Sequence, residues 1–264
     1  MNTTFAGLDD SEVINDIPQL LRILDERYET AYLRGQENHS WGVLPTIARS
    51  SSYSGKNLPT FTLAQERDLL HRFRRHAYPQ NMRVLSEWEA LFLARHHGLP
   101  VRLVDWTTNP LVALYWACRC TQNASEQDGA IWVFRRREEN KSNHVDVFSE
   151  ADPLRLPGIR LIFPFYPTQR MVVQSGVFTI HEHPWIDLRK LQASDYDVER
   201  NDIESGEVLK VPLANKARLM MQLERLAINE RTLFPDLDGI ARGLKESEIL
   251  KANASNPISG SEIT

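Results

Sequence analysis

The stretch Arg95-His96-His97-Gly98-Leu99-Pro100-Val101-Arg102-Leu103-Val104-Asp105-Trp106-Thr107-Thr108-Asn109-Pro110-Leu111-Val112-Ala113-Leu114-Tyr115-Trp116-Ala117 decides how this chain is read. It sets His, Arg, Asp and Thr around a Gly-Leu-Pro turn and runs straight into an apolar helical segment. Polar side chains held between two apolar segments need partners, because burying them bare is costly. They hold one another in a structural network, or they face a ligand. Val101–Val104 suits a short strand, and Asn109-Pro110 opens a helix with proline in its first turn. Strand, polar turn and helix N-terminus therefore follow within ten residues.

Outward from this run, helices dominate the first half and short strands the second. A helix is expected near Ile14–Leu24, with Ser11 as a candidate cap and Pro18 as a break or a start. Thr30–Gln36 reads as a strand ended by glycine, and Ser50–Lys56 as a loop. Leu63–His76 and Leu85–His97 read as amphipathic helices, the second with a Ser86/Glu89 capping box. Ala130–Phe134 is a buried strand. Leu161–Pro164, Met171–Val173, Gln174–Ile180 and Leu209–Pro212 read as further strand pieces. Lys216–Ile228 is helical, and Leu233–Gly239 is an irregular anchor before a last short helix. Trp88, Trp116 and Trp132 are read as core. The pattern favours α+β, as a single domain with helices flanking a small sheet.

The composition narrows the function classes. The chain has 264 residues, 42% hydrophobic and 25% charged, an ordinary balance for a globular protein. Its net charge of −4 gives no global electrostatic argument for nucleic acid or membrane. Cys118 and Cys120 lie two apart and would point to different faces of a helix, so they read as thiols rather than a bridge. No set of residues has metal-ligand spacing, so no metal is expected. The N-terminus has no basic and apolar leader pattern, and no apolar run approaches the ~20 residues of a membrane helix, so a cytoplasmic protein is expected.

Several pieces of the chain resemble the FRG domain family, which takes its name from a Phe/Tyr-x-Arg-Gly-type signature. They are Tyr32-Leu33-Arg34-Gly35-Gln36, Trp41 with Leu44-Pro45, then Glu66, Leu70, Phe73 and Trp88. The run from His96 to Ala117, Gln174–Phe178 and Leu233–Asp238 complete them. The likeness divides the chain into a helical segment at 1–29, an FRG domain at 30–245 and a disordered tail at 246–264. His97, Arg95 and Val101 stand where the pattern has Tyr, Gln and Thr. The family is widespread in bacteria and phages, which implies a setting in phage defence or a toxin system.

A fainter resemblance, to arginine-type ADP-ribosyltransferases, implies a chemistry. It implies a split mixed sheet and a site for NAD or a related nucleotide, with a protein or nucleic-acid target. Arg34, with Gly35 and Gln36, matches the arginine that grips the NAD pyrophosphate, a task suited to a planar guanidinium fork. Asp105, Thr107 and Thr108 match the polar strand end whose hydroxyl orients the nicotinamide ribose, with His96 beside them. Gln174 stands where those enzymes carry a catalytic glutamate on a strand. The resemblance thus assigns Gln174 and His96 to catalysis, although a neutral amide supplies no counter-charge for a cationic transition state.

Structural roles stand beside these functional ones. Arg34, Arg102 and Asp105 could form a buried ionic lock in a non-catalytic interaction module. Thr107 and Thr108 could cap the helix at Pro110. His96 could be a core histidine, and Gln174 a buried amide satisfying backbone. The basic face formed by Arg67, His71, Arg72, Arg74, Arg75 and His76 is a solvated surface or a contact for phosphate.

Overall fold

A computed structural model describes residues 5–6, 11–49, 51–53, 56–58, 61–120, 127–140, 144–149, 151–165, 168–192 and 200–255. The chain starts with a two-residue strand β1 (Phe5–Ala6) and helix α1 (Ile17–Arg27). Asp16, rather than Ser11, caps α1, with its side chain accepting from Gln19 N–H, and Pro18 sits in the first turn. Strand β2 (Tyr32–Gln36) follows. The expected loop at 50–56 is largely a hairpin of β3 (Ser51–Tyr53) and β4 (Lys56–Leu58), with residues 50, 54 and 55 outside the described set. Helices α2 (Leu63–Asn81) and α3 (Glu87–His96) both open on capping boxes, Thr62/Gln65 and Ser86/Glu89. Strand β5 (Leu103–Thr107) feeds α4 (Pro110–Cys118), whose cap is Asn109. Strand β6 (Gly129–Arg136), β7 (Ile159–Ile162), a short helix α5 (Gln169–Val173), β8 (Gly176–His181) and β9 (Ile203–Val211) complete the sheet region. Helices α6 (Leu213–Arg225), α7 (Glu230–Leu233) and α8 (Leu237–Ser255) end it. The tail expected to be disordered from 246 is helical to Ser255, and 256–264 lie outside the described residues.

The architecture is α+β, as the helix-then-strand order implied. The main sheet has the order β1-β9-β6-β2-β5-β8-β7, with every neighbour antiparallel except the short β1 beside β9. β2 pairs with β6 along its whole length, and β5 with β8 along its whole length. Between β2 and β5, however, one residue pair carries the junction, Leu33 opposite Thr107. The sheet is thus parted down its middle into two halves. It also curls, because Ile159 of the edge strand β7 bridges to Asn201 and accepts from Asp202 N–H at 2.8 Å, just ahead of β9.

Both faces of the sheet are covered. On one face Leu33, Ile131, Val133 and Leu209 pack under α1, α4 and α6 through Leu20, Leu114 and Leu219. On the other, Trp106, Trp132 and Phe134 pack with Val43 and Leu188. A third cluster joins α3 to β5 and β8 through Trp88, Phe92, Leu103, Phe178 and Ile180. Each fully buried large apolar side chain contributes about 1.5–3 kcal/mol. Trp88 and Trp132 are core as expected, whereas Trp116 packs on the first cluster with part of its ring open to solvent. Cys118 is buried at the end of α4, Cys120 is exposed, and both are free thiols.

Candidate functional site

The parting between β2 and β5 opens into a cleft of about 580 Å³. Its floor is Leu33-Arg34-Gly35 of β2, Asp105-Trp106-Thr107 of β5 and Gly176-Val177-Phe178 of β8. One wall is the C-terminal end of α3 (Arg95, His96, His97, Gly98), another is α4 through Val112 and Trp116, and the third is α5 with Arg170, Met171 and Gln174. The volume lies in the range of small-molecule sites, and its apolar floor with a few convergent polar groups is the composition such sites have. Arg34, His96, Thr107 and Gln174, distant in sequence, thus come to one cleft. Asp105 and Gly35 line it with them.

Electrostatically the cleft is a cluster of guanidinium groups around a single carboxylate. Arg95 grips Asp105 with its Nε (3.1 and 3.2 Å to the two oxygens) and its Nη2. Arg34 Nη1 donates to the Asp105 carbonyl at 2.8 Å and stands 3.6 Å from its carboxylate. Desolvation pushes the Asp105 carboxyl up, but Arg95, Arg34 and Arg49 outweigh it and hold the group down at about 2. Burial, only partly offset by Asp105, lowers Arg34 to about 10. Arg34 Nε is buried without a hydrogen-bond partner among the described residues. Arg49 Nε donates to Leu44 O at 2.9 Å, and its charge is felt by Asp105 and Arg95. Burial, Arg170 and His97 depress the His96 imidazole against a smaller pull from Asp236, so His96 is held in its neutral form.

Other expected residues have structural work. Gly35 gives α4 its close approach, since a Cβ there would lie 1.9 Å from the Ala113 carbonyl oxygen. Gln36 is buried and donates to Gly42 O at 3.1 Å, away from the cleft. Thr107 Oγ1 donates to Gln174 O at 2.6 Å and accepts from Asn109 N–H at 3.0 Å, so its hydroxyl is committed to backbone. Thr108 is exposed, and neither threonine caps α4.

Two expectations are corrected. Gln174 is not on a strand. Thr168 caps a helical turn over Gln169–Val173, Gln174 is its C-cap, and Ser175 at φ 47° turns the chain before β8 begins at Gly176. The Gln174 amide donates to Leu233 O at 3.1 Å, so its nitrogen ties α5 to α7. Arg102 does not join Arg34 and Asp105. It is buried with Glu66 at 2.8 Å and donates to Leu154 O at 3.1 Å, a separate ion pair on the α2 side of the core. A lock of all three residues therefore does not exist.

The basic face of α2 is largely neutralised, because Arg67 pairs with Asp152, Arg72 with Asp68 and Arg74 with Glu87. Arg95 and Arg170 line the cleft, and Arg49 acts on its Asp105 from outside the lining; none of the three was among the expected site residues. No helix among the described residues is long and apolar enough to cross a membrane.

Comparison with known proteins gives one family. Residues 29–127, from the approach to β2 through the run that opens the site, match the FRG domain. No curated protein and no solved structure matches the chain.

Proposed function

We propose that this chain, which carries an FRG domain over residues 29–127, binds NAD or a related nucleotide in the cleft at the sheet parting and uses it to modify a protein or nucleic-acid target. The observation that carries the reading is the charge imbalance of the cleft. Arg34, Arg95 and Arg170 line it against one carboxylate, Asp105, which Arg95 already neutralises. Guanidinium groups part-removed from water without acidic partners are a standing cost that a phosphate anion relieves. Arg34 lines the cleft and also carries a buried Nε with no hydrogen-bond partner among the described residues. The apolar floor at Leu33, Val177 and Phe178, with Trp116 on the wall, accepts a planar ring.

In transfer, the nucleotide supplies a glycosidic bond whose cleavage releases nicotinamide. Arg34 then anchors the pyrophosphate, and the locked Asp105–Arg95 pair keeps the Arg34 fork aimed. The neutral His96 at the cleft wall accepts the proton of the incoming nucleophile. Gln174 does not fit the reacting centre, because its amide is committed to Leu233 O. The residues thus support nucleotide capture more strongly than rapid turnover. The implied setting in phage defence or a toxin system rests on the family's distribution alone.

Thermal unfolding with and without nucleotide tests the reading. A ligand at ~100 times its dissociation constant adds about 2.7 kcal/mol to stability. NAD should raise the melting temperature, with the effect shrinking at high salt because the contacts are ionic. No shift with NAD, NADP or ADP-ribose overturns the proposal. For turnover, nicotinamide release should be measurable and should disappear in Arg34→Ala.

A further inference from the structure

The last helix presents its faces the wrong way round for a surface helix. A helix on the outside of a protein turns its apolar stripe inward and its polar face to water. α8 packs against α7 through small residues instead. Gly239 and Gly243 are buried, and a Cβ would lie 2.0 Å from Phe234 O at the first and 2.4 Å from Arg231 Cγ at the second. Leu237, Ile240 and Leu244 lie at helical spacing on the opposite face, 83%, 41% and 53% exposed. The close glycine contacts leave α8 no room to roll and bury them. An apolar stripe held out in water marks an interaction surface.

The charges beside the stripe point to what covers it. Asp238 and Lys245 flank it on one side, two helical turns apart, each one position beyond Leu237 and Leu244. Both are exposed, and neither makes an ion pair among the described residues. Arg242, close by, is committed to Glu230 at 2.7 Å. A second α8 laid antiparallel, with the two-fold axis near Ile240, sets Leu237 against Leu244 of that copy and Asp238 against its Lys245, and does so twice by symmetry. A parallel copy would set Asp238 against Asp238 and Lys245 against Lys245, which repel.

From this we infer that α8 is a homodimer interface, in which two copies pair antiparallel through Leu237, Ile240 and Leu244 with Asp238–Lys245 ion pairs at the edge. The inference is independent of the nucleotide reading. One helix face is smaller than the roughly 800 Å² per partner of a stable interface, so the dimer is weak and concentration-dependent.

Sedimentation velocity on the full chain, from about 1 to about 300 µM, tests it. The chain should pass from monomer to dimer across that range. Leu244→Asp, at an exposed position with no core to disturb, should weaken association by about tenfold or more with the melting temperature unchanged. Asp238→Lys should also weaken it, and Asp238→Lys combined with Lys245→Asp should restore it, because the swapped charges again meet across the two-fold axis. A chain that stays monomeric throughout overturns the inference. So does a dimer indifferent to Leu244→Asp, or a double charge swap that recovers nothing over Asp238→Lys alone.

Discussion

At the scale of single residues, the site is governed by who already has a partner. Asp105 is a first-choice catalytic carboxylate by type, yet Arg95 and Arg34 convert it into a fixture that positions guanidinium groups. Arg34 lines the cleft, spends Nη1 on the Asp105 carbonyl and leaves a buried Nε without a partner among the described residues. Charge-assisted bonds are worth about 1.5–3 kcal/mol each. Arg34→Ala should therefore weaken nucleotide binding by roughly 10- to 100-fold in titration, with far-ultraviolet circular dichroism unchanged. Gln174 makes the opposite case. The transferase likeness suggests that restoring glutamate there would restore catalysis. The structure predicts instead that Gln174→Glu loses the donor to Leu233 O and sets a carboxylate against that carbonyl. A destabilisation of about 1–3 kcal/mol in chemical denaturation is expected, with no gain in nicotinamide release. A stable variant with faster release would show that the carboxylate swings free of α7 into the cleft.

At the scale of elements, the cleft exists because α4 sits hard against β2. Gly35 permits it: the contact is backbone against backbone, with the Ala113 carbonyl where a side chain would begin. Gly35→Ala must push α4 off the strand and should cost about 3 kcal/mol, near the upper end for overpacking. Urea denaturation measures it, and an unchanged midpoint would contradict the packing described. This level was also the most legible in the sequence. Ser86/Glu89 announced α3, Asn109-Pro110 announced α4, and a continuous apolar run announced β6, because caps and short apolar runs act locally. Met171-Val172-Val173 misled for the converse reason. The two β-branched valines suit a strand, but the Thr168 cap and the turn at Ser175 fold the segment into one helical turn packed beside β8. That one-turn difference moved Gln174 off the strand. The Arg34–Asp105 contact was foreseen as a possibility, whereas Arg170 and Arg49 were invisible. Their convergence depends on the tertiary curl of the sheet, which no local pattern encodes. Arg102 was assigned to the wrong acid because Glu66, 36 residues away, reaches it only through the packing of α2.

At the scale of the whole molecule, two half-sheets joined at Leu33 and Thr107 must be held by what lies around them, and one buried group there makes the fold sensitive to acid. His181 ends β8, fully buried, with its Nε2 2.8 Å from Thr179 Oγ1; that hydroxyl also accepts from Trp106 Nε1 at 2.9 Å. The chain of contacts links β8 to β5 beneath the parting. Burial, with the Arg102 guanidinium nearby, depresses the imidazole to about 3. In the unfolded chain histidine titrates at about 6.5. Between these values the unfolded state binds the proton that the native state refuses, so stability must fall as pH drops through that window. It is fully present above about pH 6.5 and is lost toward pH 3, at no more than about 1.4 kcal/mol per pH unit from this one group. Asp105 adds a second loss lower down. Its depressed value means that stability present above the unfolded carboxylate range, about 4, disappears as pH approaches 2. Urea midpoints measured from pH 7.5 to 4.5 should therefore decline in the native chain, before carboxylates titrate. His181→Gln keeps a hydrogen-bonding group for Thr179 but cannot charge, so it should flatten that upper limb and leave the decline below pH 4 in place. A His181→Gln variant that loses stability with the same slope between pH 6.5 and 5 would place the acid-sensitive group elsewhere.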